Sequence, residues 1–202
     1  PLQPQPSIVF IPAEEMRKRN GTILISHGGG FETRSGCEGF NVAEYYCRLG
    51  YDTAILTYRL KPYSRLDALA DISRAVRLLR SMADQLKISS RIAVMGFSAG
   101  AMLSANLATH FDEENPEAED AVEHCSSRPD ACVMGYGAFS GVAFPGNFFL
   151  DNPFRDPHRA ESVYLSPEEC LKENTPPFFI WQTNSDDPRN GMQLAWRLTQ
   201  HG

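Results

Sequence analysis

Arg91-Ile92-Ala93-Val94-Met95-Gly96-Phe97-Ser98-Ala99-Gly100-Ala101-Met102-Leu103 carries three signals in succession. The apolar run Arg91 to Met95 reads as a strand buried on both faces. Gly96-Phe97-Ser98-Ala99-Gly100 then follows as a G-x-S-x-G pentapeptide, and Ala101 to His110 reads as a helix. A serine at a tight strand-to-helix turn must take a strained backbone conformation, and glycine two positions away on each side removes the Cβ atoms that would collide. The turn lifts the Ser98 hydroxyl clear of the sheet. It also sets that hydroxyl at a helix amino end, where N–H groups and the helix dipole favour developing negative charge. The pentapeptide by itself also fits an ordinary small-residue turn. Its setting between strand and helix gives it weight.

Upstream, His27-Gly28-Gly29-Gly30 follows the strand-like Thr22 to Ser26. Consecutive glycines allow close approach of backbone to a ligand and can aim N–H groups at an oxyanion. A phosphate loop is the poorer reading, because no G-K-[ST] follows. Further strand-like runs occur at Ser7 to Ile11, Thr53 to Thr57, Ala131 to Gly135 and Phe178 to Gln182. Between them, Leu66, Leu69, Ile72, Val76 and Leu79 recur at helical steps, with Asp67, Asp71, Arg74 and Arg77 assigned to the wet side. Strand and helix alternate, which predicts an α/β fold with a mostly parallel sheet and helices on both faces. Residues 1–202 read as a single domain. The acid-rich stretch Asp112 to Glu123 reads as a solvated loop or frayed helix end, and residues 141–177, rich in Pro, Phe and charge, read as a lid-like insert.

The balance of 19 Lys+Arg against 25 Asp+Glu gives a formal charge of −6, which offers no general attraction to nucleic acid or to anionic membrane. Hydrophobic residues at 42% and charged residues at 22% are ordinary for a globular chain, so neither disorder nor a fibrous repeat is expected. Cys37, Cys47, Cys125, Cys132 and Cys170 are scattered and form no C-x-x-C, which argues against a zinc site or a disulfide scaffold. No apolar run reaches the length of a membrane span and no signal peptide is visible, so a cytoplasmic location with reduced thiols is the expectation. Oligomeric state, natural substrate and acyl preference have no signature here.

The His-Gly-Gly-Gly and G-x-S-x-G motifs together resemble the esterase/lipase branch of the α/β-hydrolase fold, including small carboxylesterases and acetyl or feruloyl esterases. The resemblance runs from about Ser7 to Gly202. It implies Ser98 as nucleophile, backbone N–H groups of Gly29, Gly30 and Ala99 as the oxyanion hole, and a structural role for His27 and Gly28 in holding the glycine loop. It implies a small-molecule ester as substrate and no metal or organic cofactor.

The acid is expected just beyond the strand Phe178 to Gln182, in Thr183-Asn184-Ser185-Asp186-Asp187-Pro188. Counting from the strand favours Asp186; the following Pro188-Arg189-Asn190, similar to family members, favours Asp187, and we lean to the latter. The base is not evident. Chain order in the family places it after the acid, where only His201 stands, and a helix rising 1.5 Å per residue would carry His201 roughly 15 Å toward the far edge of the sheet. His110 and His124 read as surface residues, and His158 lies in the insert. Relative to the family, the last strand is expected to be missing. The expected activity is hydrolysis of small or medium carboxylic esters through an acyl-enzyme, with Phe144, Phe148, Phe149 and Phe154 as candidate pocket or lid residues. A non-catalytic binding protein of the same fold, or an inactive fragment, is the alternative. Amide or peptide hydrolysis ranks third.

Overall fold

The computed structural model describes residues 5–14, 20–145 and 160–201. Its strands and helices run in the order β1 (Ser7–Ile11), β2 (Gly21–Ser26), α1 (Phe40–Arg48), β3 (Tyr51–Thr57), α2 (Arg65–Ser81), α3 (Ala83–Leu86), β4 (Ile92–Phe97), α4 (Ala99–His110), β5 (Ala131–Gly135), α5 (Ala160–Tyr164), β6 (Phe178–Trp181) and α6 (Arg189–His201). The strands form one sheet in the order β1-β3-β2-β4-β5-β6. β1 pairs antiparallel with β3, and every other pairing is parallel.

The sheet order places the site. From β2 the chain steps outward to β3, then returns to the other side of β2 as β4, so the strand order reverses between β2 and β4. A crevice opens beyond the carboxyl ends of the strands at such a switch point, because the following segments leave toward opposite faces. Here α1 packs one face, its Ala43 and Val42 joining Ile23, Ile25, Ile55 and Met95. α2 and α4 cover the other, with Leu24, Val94, Ile72, Val76 and Leu107 in its core. Each large apolar side chain so enclosed contributes about 1.5–3 kcal/mol relative to leaving it in water.

α4 is buried from Ala99 through Thr109. A helix enclosed all round needs no polar stripe, which explains why Ala101 to His110 shows so little amphipathic pattern. α2 starts at a capping box, in which the Ser64 hydroxyl accepts from the Asp67 N–H and the Asp67 carboxylate accepts from the Ser64 N–H. Two of its charged residues depart from expectation. Asp71 and Arg77 are buried rather than wet. Arg59 forks onto Asp71 at 2.7–3.0 Å, and Arg77 pairs with Glu123. The acidic stretch is therefore not merely a solvated loop, since Asp120 and Glu123 dock against Arg74 and Arg77 of α2. Among the described residues no helix is long and apolar enough to cross a membrane.

Candidate active site

Ser98 sits between β4 and α4 with φ 50° and ψ −116°. That is a sparsely populated region for a residue with a side chain. Its surroundings enforce it. A Cβ on Gly96 would lie 2.2 Å from the Gly100 carbonyl oxygen, and one on Gly100 would lie 2.1 Å from that of Ser26 and 2.5 Å from that of His27. The Ser98 N–H donates to Gly135 O at 2.9 Å, and Ser98 O accepts from Met102 N–H as α4 begins. Ala99, in the first helical position, has no acceptor for its N–H inside the helix.

The glycine loop lies directly against this turn. A Cβ on Gly28 would meet Phe97 O at 2.9 Å and the Ser98 Cβ at 3.0 Å. The loop's peptide planes are pinned one by one. His27 O accepts from the Tyr58 hydroxyl at 2.8 Å, while the N–H of the same peptide, on Gly28, donates to Glu38 Oε2 at 2.6 Å. Gly28 O takes the His27 ring Nδ1 at 2.7 Å and the Ser35 N–H at 3.2 Å. Gly29 O takes the N–H groups of Glu32 and Thr33 at 3.0 and 2.9 Å. In a planar trans peptide the N–H points opposite to the C=O. Fixing the carbonyls of Gly28 and Gly29 therefore fixes the directions of the N–H groups of Gly29 and Gly30. Positive φ of 123° and 63° at these two positions suits glycine alone at low cost.

His27 is buried and stacks on Tyr58 with ring centroids 4.6 Å apart and planes 13° from parallel. Donation from Nδ1 to Gly28 O makes the ring a strut of the loop. Burial, the largest influence, holds its pKa below the ordinary histidine value. The folded state thus disfavours His27 protonation, so its stabilising contribution is complete above about pH 6.5 and is lost as pH falls from there toward the depressed folded value. The melting temperature is expected to drop as pH falls through about 6.5. His27→Asn should reduce that drop, and an unchanged pH dependence in the variant would refute the assignment.

A cavity of about 250 Å³ opens beside Ser98, lined also by Tyr136, Gln182, Asp186, Asp187 and Asn190. The structure therefore brings the serine and both candidate carboxylates to one hollow. Asp186 is exposed and accepts from the Thr183 hydroxyl at 2.5 Å. Asp187 is half-buried, accepting from the Arg189 guanidinium at 2.8 and 2.6 Å and from the Arg189 N–H at 3.1 Å. Arg189 in turn lies over the Phe144 ring, 4.9 Å from its centroid. Phe144 is thus a rest for Arg189 and not part of the cavity wall. Phe148, Phe149, Phe154 and His158 lie outside the described residues.

None of the described histidines other than His27 approaches Ser98. His110 bonds Tyr164 O at 2.5 Å and His124 bonds Ala118 O at 2.9 Å, both at the surface. His201 lines a separate cavity with Pro176, Pro177 and Phe178, at the end where β6 begins. Ser98 stands where the strands end. Sequence reasoning missed Glu38, Tyr58 and Tyr136. Tyr136 had a signal available, since it immediately follows the carboxyl end of β5, where α/β ligand sites gather.

Residues 9–193 match the BD-FAE family model. The chain belongs to the BD-FAE family. A solved relative of this BD-FAE chain, the acetyl ester-xyloside bifunctional hydrolase from Caldicellulosiruptor lactoaceticus, is 32% identical, with a TM-score of 0.88 over 98% of this chain and 74% of that one. The propionate-bound thermophilic esterase from Thermogutta terrifontis is 22% identical with a TM-score of 0.77, covering 98% of this chain and 75% of its own, and supports the fold. The BD-FAE chain has the α/β-hydrolase fold. Among curated proteins, Endo-1,4-beta-xylanase B of Butyrivibrio fibrisolvens is 34% identical over an alignment 177 residues long that covers 81% of this chain. The chain spans only about a quarter, 27%, of that protein's length.

Proposed function

We propose that this chain is a serine hydrolase of small carboxylic esters, with acetyl groups on xylose-containing carbohydrates as its substrate class. The observation that carries the reading is Ser98, held at a left-handed φ of 50° against a loop whose Gly29 and Gly30 N–H directions are fixed by their neighbouring carbonyls. In this reading the Ser98 oxygen attacks the ester carbonyl, and the N–H groups of Gly29, Gly30 and Ala99 hold the oxyanion. The C–O bond to the alcohol then breaks, leaving an acyl group on Ser98 that water removes as the carboxylic acid. The serine proton must pass to a general base and on to the departing alcohol, and Asp187 is the carboxylate assigned to orient that base. Asp187 is favoured over Asp186 because it is the less exposed of the two.

The substrate class draws on two relatives, one named for acetyl ester and xyloside hydrolysis and one named a xylanase. The cavity of about 250 Å³ supports a short acyl group. Release of acetate from acetylated xylo-oligosaccharides tests the proposal. p-Nitrophenyl acetate should be turned over at least about tenfold faster than the octanoate, as a short acyl pocket requires. Preference for octanoate, or no acetate release, contradicts it. Asp187→Asn is expected to lower kcat on the order of 10³-fold, against less than about tenfold for Asp186→Asn; the reverse ranking would move the acid to Asp186.

A further inference from the structure

We propose that Glu38 and Tyr136 form a positioning pair that locks the glycine loop and the loop after β5 together around Ser98, an inference that rests on the serine hydrolase reading. Glu38 lies in the segment leading into α1, ten residues beyond Gly28, and Tyr136 lies 98 residues beyond Glu38. One carboxylate joins them. Oε2 accepts from the Gly28 N–H at 2.6 Å, and Oε1 accepts from the Tyr136 hydroxyl at 2.7 Å. Both bonds are short, as bonds to an ionised acceptor are, and such bonds are roughly twice as strong as neutral ones.

The bridge's two feet flank the nucleophile. The Gly28 backbone sits against Ser98, its Cβ position 3.0 Å from the Ser98 Cβ. Tyr136 follows Gly135, whose carbonyl receives the Ser98 N–H at 2.9 Å, and Tyr136 also lines the cavity beside Ser98. Tyr136 holds φ at 41°, a costly conformation for a bulky side chain, so the surroundings must over-determine it. They do so from several sides. Its N–H donates to Trp181 O at 2.9 Å, its ring meets Trp181 edge-on at 4.9 Å, and its hydroxyl is committed to Glu38. Burial, with Glu38 adding to it, pushes the phenol pKa well above its ordinary value, which keeps the hydroxyl a donor.

Because the Gly28 N–H is spent on Glu38, that group does not serve the oxyanion. Its role is to hold the His27–Gly28 peptide from one side while the Tyr58 hydroxyl holds it from the other at 2.8 Å. The next two N–H groups then stay aimed. Losing Glu38 frees the first clamped peptide of the loop, and the donors drift from where charge develops.

The test compares Glu38→Ala, Glu38→Gln and Tyr136→Phe with the wild-type chain, using p-nitrophenyl acetate kinetics, the rate constant for Ser98 modification by a fluorophosphonate, and thermal melting. Glu38→Ala is expected to lower kcat and the labelling rate constant by about 10²-fold, the scale of losing one oxyanion donor, with KM changed less than about threefold. Glu38→Gln should return to within about fivefold of wild type, because its amide oxygen still accepts from Gly28. Tyr136→Phe should fall between them. Labelling of Glu38→Ala at the wild-type rate overturns the pair while leaving the serine reading intact. So does a loss that Gln does not rescue and that only tracks the melting temperature. If wild type itself neither labels nor turns over, the serine reading fails and the pair fails with it.

Discussion

Ser98→Ala is expected to cut ester hydrolysis by on the order of 10³-fold or more, measured as p-nitrophenyl acetate turnover and as acetate release from acetylated xylo-oligosaccharides. The magnitude follows from what remains. Without the oxygen no acyl-enzyme forms, and only binding and the N–H groups of the glycine loop are left to favour attack by water. Removing a hydroxyl from a half-buried position at the mouth of a cavity costs little packing. The melting temperature should therefore stay within about 2 °C of wild type. Equal turnover by the two proteins would place the chemistry elsewhere.

Gly100→Ala should have the largest effect on stability. Its new Cβ would lie 2.1 Å from Ser26 O, 2.6 Å from Ser26 C and 2.5 Å from His27 O, all backbone atoms. No flexible side chain can yield. β2 is paired on both sides, by β3 and β4, and α4 is buried along nearly its whole length. Relief requires α4 to back away from the sheet, which draws Ser98 out of register with the glycine loop. Overpacking of this kind costs about 3 kcal/mol or more, a fall of roughly 6–12 °C in melting temperature for a chain of this size. Activity should fall with it. Gly36→Ala is the control, since a Cβ there meets nothing within 4 Å. Equal melting curves for the two variants would show that the α4–β2 contact is looser than described.

The alternation of strand and helix was legible because parallel strands buried on both faces leave continuous apolar runs such as Thr22-Ile23-Leu24-Ile25. All the runs read as strands are strands, although β4 continues through Phe97. The tight turn at Ser98 was legible because it needs glycine at both Gly96 and Gly100. The wet side assigned to α2 failed at Asp71 and Arg77, because helical spacing shows which residues share a face but not that Arg59 and Glu123 come down to cover them. Glu38 was invisible for a related reason. Its importance lies in a bond to Tyr136, 98 positions away, and nothing local in Gly36-Cys37-Glu38 announces it. Asp186 and Asp187 are adjacent in the chain, and what separates them, their exposure and their partners Thr183 and Arg189, comes only with the fold.

The central claim, that Ser98 is a nucleophile held at a strained turn beneath aimed backbone N–H groups, is tested most directly by mapping where a fluorophosphonate attaches. Intact-mass and peptide analysis of the treated chain should show a single adduct on the peptide carrying Ser98, and none in Ser98→Ala. An adduct on any other residue, or an untouched Ser98, would contradict it.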